Sequence, residues 1–180
     1  MHSTAPNEQS RAVFLDRDGT LMRDVEYCAD PKRVEIFAGA QAALRKLKDA
    51  GFKLIVITNQ SGIGRGFFTE EDYRAVEKEV ERQLGVIDAT YFCPDLPDAG
   101  CRCRKPQPGL IFDAQREHQI DLARSFFIGD KALDAECGHN AGVRTILVRT
   151  GNEPPNEKSN ADWIARDLNE ASDIILNHAL

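Results

Sequence analysis

Apolar residues fall in short unbroken runs that end abruptly at polar residues, and stretches of helical spacing separate the runs. Ala12-Val13-Phe14-Leu15 stops at Asp16-Arg17-Asp18-Gly19-Thr20. The run from Phe52 to Ile57 stops at Thr58-Asn59-Gln60-Ser61-Gly62, and that from Ser125 to Ile128 stops at Gly129-Asp130-Lys131. Runs of this length between turn signals read as buried strands. Ala89 to Phe92, Arg144 to Val148 and Ala161 to Ile164 read as further strands. The spacing predicts a helix over Gln41 to Ala50, with Ala43, Leu44 and Leu47 on one face and Gly51 as its stop. Thr69 reads as the N-cap of a helix running to Leu84, with Glu70, Glu71 and Asp72 in its first turn and Gly85 after it. Pro108 to His118, Leu133 to Ala141 and Leu168 to His178 complete the helices, and Gly142 is the expected C′ residue.

Strands alternating with helices imply parallel neighbours joined by right-handed crossovers. The intervening segments read as loops. Leu21 to Phe37 is expected to lie over the strand ends, Ile63-Gly64-Arg65-Gly66 to be a flexible glycine loop, and Gly151 to Asn160 a proline- and asparagine-rich loop. There is no internal repeat and no linker long enough to split the chain. The expectation is one domain over 11–180, after a flexible tail over 1–10.

Composition narrows the class. At 180 residues the chain is long enough for a full core. A net charge of -6 argues against a broad nucleic-acid surface. No apolar run approaches membrane-spanning length, and Met1 to Ser10 lacks the apolar centre of a signal peptide. A cytoplasmic protein without membrane or nucleic-acid partners is expected. Three of the five cysteines, Cys93, Cys101 and Cys103, lie within eleven residues. In that compartment such clustering favours a metal over a disulfide. Cys28 and Cys137 are isolated and read as structural thiols. His118 and His139 read as surface or core residues rather than ligands.

Three strands ending at Asp16/Asp18, Thr58/Asn59 and Gly129-Asp130 would share one rim of a parallel sheet, where such sheets bind ligands. Carboxylates crowded there repel unless a cation sits among them. Mg²⁺, a hard ion with oxygen ligands, meets that need. With Thr, Asn, Ser, Arg and Lys donors around it, the rim becomes a receptor for a phosphoryl group. The bland reading is a turn with two solvated acids, a surface lysine at 105 and a turn acid at 130.

The motifs Asp16-Arg17-Asp18-Gly19-Thr20, Thr58, Lys105 and Gly129-Asp130 with Asp134, in this order, resemble those of the haloacid-dehalogenase-type phosphotransferases. The resemblance implies an α/β fold: a Rossmann-like, mostly parallel sheet with helices on both faces, a minimal or absent cap domain and a small zinc-type loop. It implies Asp16 as the nucleophile that forms an aspartyl phosphate. Asp18 would be the general acid and base, and Lys105 would offset the repulsion between Asp16 and the phosphate. Mg²⁺ would be held by the side chains of Asp16 and Asp130 and the main-chain carbonyl of Asp18. Thr58 would bond the phosphoryl oxygens. Asp134 would either tune the metal or serve as a helix N-terminal charge.

The likeness extends to the heptose-bisphosphate branch of that family through Thr58 to Gly66, Cys101 to Pro106, Gly129 to Lys131 and Leu147 to Gly151. A sugar bisphosphate would then touch Asp16, Arg17, Asp18, Asp24, Val25, Glu26 and Tyr27. It would also touch Thr58, Asn59, Gln60, Ser61, Arg104, Lys105 and Lys131. Arg65 is a further candidate for the distal phosphate. A histidinol-phosphate phosphatase shares these motifs and is the alternative. A polynucleotide 3′-phosphatase and a non-catalytic, zinc-stapled binding module are weaker ones. Relatives place Cys-x-His before a Cys-x-Cys pair to close a structural zinc site. Here Cys93, Cys101 and Cys103 match, but Asp95 stands where histidine is expected. Asp98, a water or a distant histidine are other fourth ligands, and free thiols are the bland reading. Such a zinc would pin the loop so that Arg104 and Lys105 meet the substrate. The enzyme is expected to act as a monomer.

Overall fold

Successive side chains of a strand point to opposite faces of a sheet, and in β1 (Ala12–Leu15) both faces are apolar and buried. That alternation divides the core in two. Val13 and Leu15 join Leu54, Val56, Phe126, Ile128, Ile146 and Val148 in one cluster, while Ala12 and Phe14 join Ile55, Ile57 and Phe127 in the other. The computed structural model describes residues 9–153 and 155–179. The strands are β1, β2 (Lys53–Asn59), β3 (Ala89–Cys93), β4 (Phe126–Gly129), β5 (Arg144–Val148) and β6 (Trp163–Ala165). They form one sheet in the order β3-β2-β1-β4-β5-β6, and every pairing is parallel.

The helices are α1 (Ala40–Asp49), α2 (Ser61–Gly64), α3 (Glu70–Leu84), α4 (Gly109–His118), α5 (Ala132–Ala141) and α6 (Leu168–His178). The apolar stripes of α1, α3 and α6 cover the first face and those of α4 and α5 the second, the two-sided arrangement that parallel sheets require. Thr69 caps α3 in a reciprocal box with Asp72. Gly85 and Gly142 end α3 and α5 in the left-handed conformation. No helix among the described residues is long and apolar enough to cross a membrane.

Three details differ from the sequence reading. β2 runs two residues past its apolar stretch, because Thr58 and Asn59 still pair with Phe92 and Cys93. Ser61–Gly64 forms one helical turn, which takes in the first half of the flexible loop expected over Ile63 to Gly66. Its glycines serve close packing: a Cβ on Gly62 would lie 2.1 Å from the Phe68 ring, and one on Gly64 would lie 2.6 Å from the Pro94 carbonyl oxygen. Of the tail expected over 1–10, residues 1–8 lie outside the described residues, and Ser10 pairs with Ile120. The segment after β1 folds back over the strand ends as a flap, tied by bridges Asp18–Met22 and Met22–Ile36. No further cap intervenes between β1 and α1.

Candidate active site

The chain after β1 continues to β2 on one side, whereas the chain after β3 crosses to β4 on the other. The crevice of an open α/β sheet lies at such a reversal. Asp16 and Asp130 follow β1 and β4 there, and the Asp16 N–H still donates to the Ile128 carbonyl at 2.9 Å. Both carboxylates are buried.

Lys105 reaches the same point from the loop after β3. Its ammonium donates to Asp16 Oδ1 at 2.7 Å and is ion-paired with Asp134 Oδ1 at 2.7 Å. Burial disfavours its charge, but Asp134 and Asp16 outweigh burial and hold it protonated well above the usual lysine range. The main chain of Lys105 is held by Asn59: its N–H donates to Asn59 Oδ1 at 3.0 Å, and Asn59 Nδ2 donates to its carbonyl at 3.3 Å. Asp134 is also the N3 residue of α5. Its Oδ2 accepts the N–H groups of Asp130 at 3.2 Å and Lys131 at 3.0 Å.

Asp130 is fully buried, and no donor reaches either carboxylate oxygen. Two glycines make room for it. A Cβ on Gly19 would lie 2.4 Å from Asp130 Oδ2, and one on Gly151 would lie 2.1 Å from it. Gly19 also needs its left-handed φ of +86°. Thr150 Oγ1 donates to the Gly19 carbonyl at 2.7 Å and fixes this wall. Desolvation, then the charges of Asp16 and Asp134, push Asp130 up to about 8. Desolvation raises Asp16 to about 6 against the pull of Lys105. Ligand oxygens of Asp16, Asp130 and Asp134 lie within 4.8 Å of one another. Unsatisfied carboxylate oxygens beside a second carboxylate fit a hard divalent cation.

A cleft of about 240 Å³ opens above these acids. Asp18 faces it with a carboxylate that accepts a fork of bonds from buried Arg17, at 2.9 to 3.2 Å, and one from Gln60 Nε2 at 2.9 Å. The same Gln60 amide donates to Thr58 Oγ1 at 2.9 Å. Ser61, Arg104 and Lys131 line the cleft, as do Asp24, Glu26 and Tyr27 from the flap. Lys131 Nζ pairs with Asp24 at 3.3 Å and ties the flap to α5. Glu26 and Tyr27 hold φ values of 45° and 53°, a conformation that costs non-glycine residues energy and clusters at ligand sites.

The structure does not bring Val25 or Arg65 to the cleft. Val25 packs against the core and its carbonyl accepts from Arg33. Arg65 caps the short α2 and is exposed. Asn59 borders the cleft but spends its amide on the Lys105 main chain. Cys28, Gly62 and Leu133 line the cleft without having been singled out. The adjacency of Cys28 to Tyr27 was the available signal for that residue. Its thiol is buried and lies 3.7 Å from the Asp30 carbonyl.

In the cysteine loop the Cys93 and Cys103 sulfurs meet in a disulfide contact. Cys101 Sγ lies 3.4 Å from Cys93 Sγ and 3.0 Å from Cys103 Sγ. Asp95 Oδ2 is 3.6 Å from Cys103 Sγ. With the thiols reduced, these three sulfurs and one carboxylate make a donor set that zinc accepts. Asp98 is outside the cluster. His118 bonds Tyr91, and His139 bonds Thr145 and Asp162. Cys137 is buried and contacts the Gln107 carbonyl.

Known proteins are similar to this chain in sequence and fold. A family model described as HAD-hydrolase-like matches residues 102–171. A D-glycero-beta-D-manno-heptose-1,7-bisphosphate 7-phosphatase of Yersinia pestis is 41% identical over 170 residues, covering 87% of this chain and 90% of that one. The enzyme of the same name from Helicobacter pylori strain J99 is 40% identical, covering 86% and 97%. A D,D-heptose 1,7-bisphosphate phosphatase from B. bronchiseptica, solved with magnesium and phosphate, superposes with a TM-score of 0.84 at 31% identity. That match covers 94% of this chain and 99% of the other. Identity at this level over nearly the whole length, with buried acids, lysine and parallel sheet in place, means that the chain belongs to the haloacid-dehalogenase-like phosphatase family.

Proposed function

We propose that this chain removes the 7-phosphate of D-glycero-D-manno-heptose 1,7-bisphosphate through an aspartyl phosphate on Asp16, in a cytoplasmic route to nucleotide-activated heptose, acting as a monomer. One observation carries the chemistry: the Asp130 carboxylate is buried and without a donor beside Asp16, whose other neighbour is a lysine at 2.7 Å. The names of the relatives support the choice of substrate.

The side chains of Asp16 and Asp130 and the Asp18 carbonyl would hold Mg²⁺. When bound, the ion neutralises charge on the phosphoryl group and fixes its orientation. Lys105, kept charged by Asp134 and Asp16, offsets the repulsion between a carboxylate and an anionic ester. Asp16 attacks phosphorus through one oxygen, and the bond from phosphorus to the sugar oxygen breaks. Asp18 passes its proton to that departing oxygen. Water then attacks phosphorus, loses a proton to Asp18, and the bond to Asp16 breaks. To carry a proton, Asp18 must loosen the Arg17 fork. Gln60 donates to Thr58 Oγ1, which leaves the Thr58 hydroxyl hydrogen free to bond a phosphoryl oxygen. Arg104 and Lys131 supply positive charge for the second phosphate. A zinc on Cys93, Cys101, Cys103 and Asp95 would hold the loop that carries Arg104 and Lys105, with no part in the chemistry.

The test is phosphate release at fixed Mg²⁺ from the α- and β-anomers of the heptose bisphosphate and from histidinol phosphate. A heptose bisphosphate is expected to win by at least about tenfold in kcat/KM, about 1.4 kcal/mol. Equal or better turnover of histidinol phosphate overturns the substrate assignment.

A further inference from the structure

We infer that Asn59 is a positioning residue for Lys105 rather than a contact for substrate. Asn59 stands at the last position of β2, where its main chain still pairs with Cys93. Its side-chain amide presents one acceptor edge and one donor edge, and the Lys105 peptide unit uses both, at 3.0 and 3.3 Å. The pair imitates one rung of a strand ladder, built by a side chain across a separation of 46 residues. Lys105 needs this support because the loop that brings it in has no strand of its own. Its long side chain places an ammonium between two carboxylates, and a small shift of the main chain would move the charge off Asp16. The two bonds lock the plane of the Asn59 amide onto the Lys105 peptide, so the orientation of its remaining N–H and lone pair is set by Lys105 and not by a ligand. Its neighbours differ from it: Thr58 lines the cleft, and Gln60 holds Asp18 and Thr58.

The inference rests on the phosphatase reading for Lys105, so its test uses a generic ester and a readout that needs no turnover. Asn59→Leu keeps the shape and removes both bonds, whereas Asn59→Asp keeps the acceptor and loses the donor. With p-nitrophenyl phosphate and saturating Mg²⁺, Asn59→Leu is expected to lower kcat at least about tenfold with KM within about threefold, the split of an interaction made in the transition state. Asn59→Asp should lose less than Asn59→Leu, and it serves alone if Asn59→Leu does not fold. In a Lys105→Met background the Asn59 substitution should cost almost nothing further, because its effect runs through the lysine. A raised KM with unchanged kcat, unchanged activity, or losses that multiply in the double variant overturns the assignment. Amide hydrogen exchange is the second readout. The Lys105 N–H should be protected in the native protein, lose protection in Asn59→Leu and keep most of it in Asn59→Asp, where the acceptor remains; an unprotected native amide overturns the assignment. A native protein that hydrolyses no ester but shows this loss of protection sinks the phosphatase reading alone.

Discussion

Asp134 holds the Lys105 ammonium at 2.7 Å with one carboxylate oxygen and closes the first turn of α5 with the other. The Lys105 ammonium is thereby tied to the helix that follows Asp130. Both partners are buried, and removing one member of a buried pair typically costs about 3–5 kcal/mol because the survivor is left without compensation.

Asp134→Ala should accordingly lose about 3 kcal/mol of stability and most of its activity. Asp134→Asn should retain more of the helix cap while still losing turnover. Urea unfolding and Mg²⁺-dependent phosphate release measure the two effects. An Asp134→Ala protein with native stability would mean that the ion pair contributes nothing.

The pH dependence without metal has a definite sign. Asp130 is pushed up to about 8 and Asp16 to about 6, against about 3.9 for an unfolded aspartate. Between those values the native state keeps protons that the unfolded chain has released, so stability falls as pH rises from about 4 through 8. In EDTA, Tm should be higher at pH 5.5 than at pH 8.5. Mg²⁺ should raise Tm most at the higher pH, where the ligands are ionised. A Tm in EDTA that is flat or rising over this range contradicts the geometry of the acid cluster.

The strand ends were legible because an apolar run that halts at Asp16, Thr58 or Asp130 carries both the strand and the position of its polar end. The two-faced burial of β1 follows from the same runs. The partners of those residues were not legible. Asn59 finds Lys105, and Asp134 finds the same lysine, across loops whose path depends on tertiary packing, and both Asn59 bonds are to main chain. Val25 looked like its neighbours Asp24 and Glu26, but as an apolar residue it turned to the core. Arg65 belonged to a glycine-rich stretch that reads as mobile. The Phe68 ring against Gly62 makes that stretch a helical turn and leaves the arginine outside the cleft.

Gly151→Ala probes the wall of the acid site without backbone strain, since Gly151 is not among the positive-φ residues. A methyl group would meet Asp130 Oδ2 and push the carboxylate out of place. The Mg²⁺ concentration needed for half-maximal activity should rise about 10- to 100-fold, the range seen when support for a ligand is lost. An unchanged requirement would place the ion elsewhere.

The cysteine loop is tested by composition. Protein purified under reducing conditions should carry about one zinc per chain. Cys101→Ser should lose that zinc and lower kcat, because the loop that presents Arg104 and Lys105 loosens, while the sheet stays folded by circular dichroism. A protein free of zinc and fully active with reduced thiols would leave the loop held by its own packing.

Turnover by Asp16→Asn tests the central claim most directly, because the substitution keeps the side chain's size and removes the carboxylate charge. With the fold intact by circular dichroism, Mg²⁺-dependent phosphate release should fall by more than about 10³-fold, as expected for a group that acts covalently. Release at the native rate from that variant would contradict phosphoryl transfer to Asp16.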